Sequence, residues 1–287
     1  MSQQFASDNN AGLCPEALEA LVQANGEGHA TGYGGDTWTE RACDRVRTLF
    51  ETDCAVFFVF SGTAANALAL AHICCPYHAV IAHAESHVAT DEAGAVGFFS
   101  GGAAVLTADT PLAKLTPAAV ERLATGGRGF HSVKPNALSL TQATEMGTLY
   151  ALDELRALTA LARRHRLKVH MDGARFANAV AALGCSPADL SWRAGIDVLS
   201  FGGVKNGLGA GEAVLFFDKA LAHEFEWRVK QAGQLNSKMR LGTAPWVGLL
   251  GNDVWLKNAR HANAMARRLA DHITKVTGVR LMAPVES

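Results

Sequence analysis

The chain has 287 residues, 49% of them hydrophobic, enough for one large core or for a large domain with a smaller one attached. Its 26 Lys+Arg against 27 Asp+Glu leave a formal net charge of -1, which argues against a nucleic-acid partner or an anionic membrane surface. Met1–Phe5 lacks the basic and apolar regions of an export signal, and no apolar run is long and charge-free enough to span a bilayer, so a cytoplasmic setting is expected. The six cysteines contain no Cys-x-x-Cys pair and the eleven histidines no His-Glu-x-x-His, so free thiols and no metal site are expected.

In chain order, the glycine-rich stretch 25–36 is expected to be an ordered loop, because so many glycines disfavour a helix. Val56-Phe57-Phe58-Val59-Phe60 is an apolar, β-prone run of the kind buried on both faces. It leads through Ser61-Gly62-Thr63 into an Ala/Leu-rich helix, giving strand, polar turn, helix. Further strands are expected at 79–82, 103–106, 137–140, 167–171, 197–201 and 213–217. Leu155, Leu158 and Leu161 recur at helical spacing across 152–166, and a long helix is expected near 258–274. Residues 278–287 read as the opening of another strand. Strands alternating with helices indicate an α/β layer with a mostly parallel seven-stranded sheet, whose ligands gather at the carboxyl ends of the strands.

Two segments stand at such ends. His170-Met171-Asp172-Gly173-Ala174-Arg175 delivers an aspartate, and Ser200-Phe201-Gly202-Gly203-Val204-Lys205-Asn206-Gly207 a lysine, roughly 33 residues later. A lysine can hold pyridoxal 5'-phosphate as an imine while an aspartate keeps the pyridine nitrogen protonated. Read alone, Lys205 could be an ordinary solvated lysine and Asp172 a helix cap. The glycines around Lys205 would permit close approach of a bulky ligand. Ser61, Gly62 and Thr63 form either an ordinary N-cap or an anion seat. His87 is either a surface histidine or an imidazole stacked on a cofactor ring and available for proton transfer. Arg175 either pairs with an acidic neighbour or grips a substrate carboxylate bidentately.

Together these motifs, with Phe5-Ala6-Ser7-Asp8-Asn9-Asn10-Ala11-Gly12 and Tyr33-Gly34-Gly35-Asp36, resemble the threonine aldolase family, and Leu140-Thr141-Gln142-Ala143-Thr144-Glu145 resembles its bacterial low-specificity branch. The resemblance covers nearly the whole chain. It implies the aspartate aminotransferase-like fold (fold type I of pyridoxal phosphate enzymes). By resemblance, Lys205 carries the cofactor, Asp172 faces the pyridine nitrogen and His87 stacks on the ring. Gly62, Thr63 and Ser200 help hold the phosphate, and Ser7 and Arg175 bind the substrate carboxylate. It also implies a homotetramer in which Tyr33 and Arg240 are lent to a neighbouring subunit's site.

The implied reaction is retro-aldol cleavage of threonine, allo-threonine or a related β-hydroxy-α-amino acid such as phenylserine to glycine and an aldehyde. Some members carry a histidine near the substrate hydroxyl in the loop matching 141–144. Here there is none, which leaves His87 or a bound water to take the hydroxyl proton. The expected layout is an N-terminal arm and active-site loop at 1–45, a cofactor-binding large domain at 46–250 and the start of a small C-terminal domain at 251–287. In the family that domain runs on for several dozen residues and supplies a further arginine. Two alternatives stay open: another fold type I lyase or aminotransferase, and a catalytically silent, truncated cofactor-binding fragment.

Overall fold

All seven expected strands form, in one sheet: β1 (Ala55–Val59), β2 (His78–His83), β3 (Ala104–Ala108), β4 (Lys134–Thr141), β5 (Lys168–Gly173), β6 (Val198–Phe201) and β7 (Glu212–Phe216), ordered β1-β7-β6-β5-β4-β2-β3. The structure is a computed structural model that describes residues 7–287. The readings that fall on Met1–Ala6, including the first two residues of the Phe5–Gly12 motif, lie outside the described residues. Only β7 runs against its neighbours, pairing antiparallel with both β1 and β6. The carboxyl ends of the other six strands therefore share one edge of the sheet, and every candidate motif that follows a strand is delivered there.

The helices are α1 (Pro15–Gly26), α2 (Thr37–Leu49), α3 (Gly62–Ile73), α4 (His87–Thr90), α5 (Ala95–Ser100), α6 (Pro117–Thr125), α7 (Leu152–Arg164), α8 (Phe176–Leu183), α9 (Phe225–Gln231), α10 (Met239–Leu249) and α11 (Val254–Ile273). Strand alternation sorts the core into two layers. Ile81, Leu138, Leu140, Val169, Met171, Leu199 and Phe201 pack toward α2, α7, α8 and α10, while Val80, Ala82, Val198, Val214 and Phe216 pack toward α3, α5 and α9. α3 is buried nearly all round, which its alanines allow by letting it lie close on the sheet. Among the described residues, no helix is long and apolar enough to cross a membrane.

Two expectations change. α11 starts four residues earlier than its periodicity suggests, because Val254 and Trp255 are both buried in the core. Residues 278–287 form no strand. Glu286 accepts a hydrogen bond from the Leu149 amide (2.6 Å) and Ser287 donates one to the Gly147 carbonyl (3.0 Å), so the segment is tied to the loop after β4.

Candidate active site

A cavity of about 290 Å³ opens at the carboxyl edge, lined by Ser61, Gly62, Thr63, Asn66, His87, Glu145, Asp172, Lys205 and Glu212, among others. Asp172 is the last residue but one of β5, and Lys205 lies in the 3-10 turn Val204–Asn206 just after the adjacent parallel strand β6. Neighbouring strand ends thus bring together two residues 33 positions apart in the chain (205 minus 172).

Asp172 is buried and its carboxylate is held on both sides. The Ala174 amide donates to Oδ1 (3.0 Å) and Asn66 Nδ2, from α3, donates to Oδ2 (2.8 Å). Asn66 Nδ2 also donates to Glu92 Oε1 (2.8 Å), and that same oxygen lies 2.8 Å from His87 Nδ1. A continuous polar chain therefore runs from His87 through Glu92 and Asn66 to Asp172. The hydrogen bond to Glu92 raises the pKa of His87 above the ordinary histidine value, against the opposing effect of burial. Burial raises Glu92 in turn, although His87 and Asn66 pull it the other way. His87 Nε2 lies 3.5 Å from Asp91 Oδ2, so both ring nitrogens face carboxylates.

Below this chain, the fully buried His170 sits between the Ser139 and Ser200 hydroxyls, each 3.0 Å away, and desolvation lowers its pKa to about 4. Ser200 is thus buried, bonded to His170, and not among the residues lining the cavity.

Ser61 caps α3, accepting from the Ala64 amide (3.3 Å), and Ser61, Gly62 and Thr63 line the cavity at the positive end of the helix dipole. A Cβ built on Gly62 would meet nothing within 4 Å, so this helix start faces open space. The glycines beside Lys205 differ. A Cβ on Gly202 would lie 2.4 Å from the Ala174 carbonyl oxygen, and one on Gly203 2.6 Å from Trp246 and Leu208. The close approach expected of them is thus to the protein's own core, not to a ligand.

Arg175 forms a bidentate pair with Asp8, Nε to Oδ2 at 2.8 Å and Nη2 to Oδ1 at 3.2 Å. Ser7 lies beside this pair, accepting from the Asn9 amide (3.1 Å) and capping the 3-10 turn Asp8–Asn10. Tyr33 is 57% exposed with its ring under Lys230. Arg240 donates to the Gly28 carbonyl (2.8 Å) beneath the same loop. Neither Tyr33 nor Arg240 lines this cavity.

Four lining or supporting residues were not singled out by sequence reasoning: Asn66, Glu92, Glu145 and Glu212. Glu212, in β7, accepts from the Gly203 amide, and burial raises its pKa to about 7. The only sequence signal for Glu212 was an acidic residue opening an otherwise apolar strand, AVLF.

The residues fit pyridoxal phosphate. An open helix start suits a phosphate, a buried carboxylate suits a protonated ring nitrogen, and a lysine faces the same cavity. The fold and this lysine–aspartate cavity define an α/β protein of the aspartate aminotransferase-like class. A solved Thermus thermophilus aspartate aminotransferase shares the fold at 16% identity, the match covering 97% of this chain and 77% of that one with a TM-score of 0.73. The family model for beta-eliminating lyases matches residues 4–286, and the chain belongs to that family. It is 57% identical to the low specificity L-threonine aldolase of Pseudomonas aeruginosa, over 100% of this chain and 82% of that protein. It is 55% identical to a low specificity L-threonine aldolase of a Pseudomonas species, with the same coverage. A solved Leishmania major threonine aldolase superposes with a TM-score of 0.92 at 30% identity, covering 99% of this chain and 82% of that one. The chain is a pyridoxal phosphate-dependent lyase.

Proposed function

We propose that this lyase is a low-specificity L-threonine aldolase, cleaving L-threonine, L-allo-threonine and related β-hydroxy-α-amino acids such as phenylserine to glycine and an aldehyde. The observation that carries the reading is one cavity lined by Lys205, Asp172, His87 and the open start of α3, in a chain 57% identical to an enzyme of that name.

When bound, pyridoxal phosphate supplies an electron sink beside the amino acid's Cα. Lys205, which lines the cavity, would hold the cofactor through its side-chain amine. Asp172, fixed by Asn66 and the Ala174 amide, would present its carboxylate to the pyridine nitrogen and keep it protonated. Ser61, Gly62 and Thr63 receive the phosphate with amides and hydroxyls. His87, held by Glu92 through Nδ1, would flank the cofactor ring and serve as a proton-bearing donor. Arg175 exchanges Asp8 for the substrate carboxylate with Ser7 beside it, and this grip sets the Cα–Cβ bond in the orientation for cleavage. Ser200 contributes to the phosphate side indirectly, through the polar row beneath α3. The working assembly is a cytoplasmic homotetramer in which Tyr33 and Arg240, both outside their own cavity, complete a neighbour's site.

Replacing Lys205 with alanine tests the lysine assignment. The variant should lose the imine absorbance of the purified holoenzyme and fall by at least about 10³-fold in aldehyde release from threonine and phenylserine. Full imine absorbance in the variant would refute it. Ammonia and a keto acid in place of glycine and aldehyde would point to elimination instead.

A further inference from the structure

Two cavities meet at the site. The inner one holds the phosphate seat and Asp172. The outer one, about 360 Å³, is lined by Asp8, Arg175 and α11 residues. Of all their lining residues, only Lys205 and Glu145 belong to both. A substrate whose amine sits at Lys205 and whose carboxylate reaches Arg175 must occupy this junction. Its β-carbon then faces the second junction residue, Glu145.

Glu145 is at the tip of the loop after β4, and that loop is braced. The Gln142 amide donates to the Asp172 carbonyl (2.9 Å). The Gln142 side chain exchanges hydrogen bonds with the Tyr150 backbone (2.9 and 3.0 Å). The Thr144 and Thr148 hydroxyls lie 2.6 Å apart. The Glu145 carboxylate itself makes no hydrogen bond or ion pair with a described residue, although Arg175, Lys205, His87 and Asp172 all face it. His87, the other acid–base group, has a buried carboxylate on Nδ1 that strengthens its hold on its proton. A proton-bearing imidazole is a donor. The uncommitted acceptor at the junction is Glu145.

We propose that Glu145 is the catalytic base for the substrate's β-hydroxyl. This rests on the aldolase reading above. Glu145 takes the hydroxyl proton as the oxygen's electron pair forms the aldehyde C=O and the Cα–Cβ bond breaks. The Cα–Cβ pair ends in a new Cα–H bond when a proton is delivered there, giving glycine. Glu145 releases its proton to water, so the sum is substrate to glycine plus aldehyde with no net proton change. Desolvation by the surrounding protein raises the Glu145 pKa, which strengthens the carboxylate as a proton acceptor.

The test uses the holoenzyme. Wild type must first release aldehyde from L-threonine or phenylserine, and failure there overturns the aldolase reading whatever Glu145 does. With that met, Glu145→Gln should lower kcat for cleavage by about 10²–10⁴-fold, the usual contribution of a positioned base. It should leave exchange of glycine's α-protons with deuterium oxide, which involves no β-hydroxyl, within about threefold. Glu145→Asp should restore most of the lost cleavage, and the acid limb of the wild-type kcat profile should be absent in Glu145→Gln. In cofactor-free protein, the difference infrared spectrum between wild type and Glu145→Gln should show a carboxyl titrating above the ordinary glutamate range. Cleavage by Glu145→Gln within about threefold of wild type overturns the proposal. So does parallel loss of cleavage and glycine exchange in a variant with native circular dichroism.

Discussion

Asn66 Nδ2 lies between two buried carboxylates, 2.8 Å from Glu92 Oε1 and 2.8 Å from Asp172 Oδ2, and keeps each from facing the other without a donor. Asn66→Ala removes that donor and leaves Asp172 Oδ2 without its partner, while Glu92 Oε1 keeps only His87 Nδ1. The expected cost is about 1–3 kcal/mol of stability, the penalty for an unsatisfied buried polar group. Urea unfolding of wild type and variant, both without cofactor, measures it; an unchanged midpoint would show that water replaces the amide at no cost. Residue legibility in the sequence followed one rule. Asp172, Lys205, Ser61–Thr63 and His87 follow apolar runs, so their places at the strand ends could be read directly. Asn66 and Glu92 find partners 106 and 26 residues distant, and nothing local marks such a pairing. Arg175 could be read either way, and the structure gives it an acidic neighbour, Asp8, in the place proposed for a substrate carboxylate.

Elements were more legible than residues, because apolar strands and the Leu155–Leu158–Leu161 stripe carry their own periodicity. The strand order was not legible, since the reversal of β7 depends on contacts no local pattern encodes. The meaning of the glycines was also hidden. Gly62 and Gly203 both flank the cavity, and only coordinates show that one faces open space and the other the Trp246 ring. Alanine substitution should separate them. Gly62→Ala adds a methyl where nothing lies within 4 Å, so it should fold normally but narrow the phosphate seat. Its pyridoxal phosphate dissociation constant is expected to rise about tenfold, one lost interaction's worth. Gly203→Ala places a carbon 2.6 Å from Trp246 and Leu208 and should lose about 1–3 kcal/mol from overpacking. Thermal melting of the apo proteins and equilibrium dialysis of the cofactor distinguish the two; a destabilised Gly62→Ala with normal cofactor affinity would reverse the assignment.

Across the whole molecule, two buried groups, His170 in β5 and Glu212 in β7, set opposing pH dependences. His170 has its pKa lowered from 6.5 to about 4 by desolvation, so the unfolded chain binds the extra proton between those values and stability falls as pH drops through that window. Glu212 has its pKa raised from 4.5 to about 7 by burial, so the folded chain holds the extra proton and stability falls as pH rises from 4.5 to 7. Each effect is on the order of 3 kcal/mol over its window, and they oppose each other where the windows overlap. Relative to wild type, Glu212→Gln removes the loss at higher pH, so the variant-minus-wild-type stability difference should rise between pH 4.5 and 6.5. His170→Asn removes the opposite slope, and its difference should fall over the same interval. Other titrating groups, His87, Glu92 and Glu145 among them, are common to all three proteins and cancel in these differences to first order. Urea midpoints at several pH values measure both slopes. If both differences are flat, the two groups do not hold the protonation states their burial dictates, and the Gly203 amide must then be bonded to an ionised Glu212 throughout.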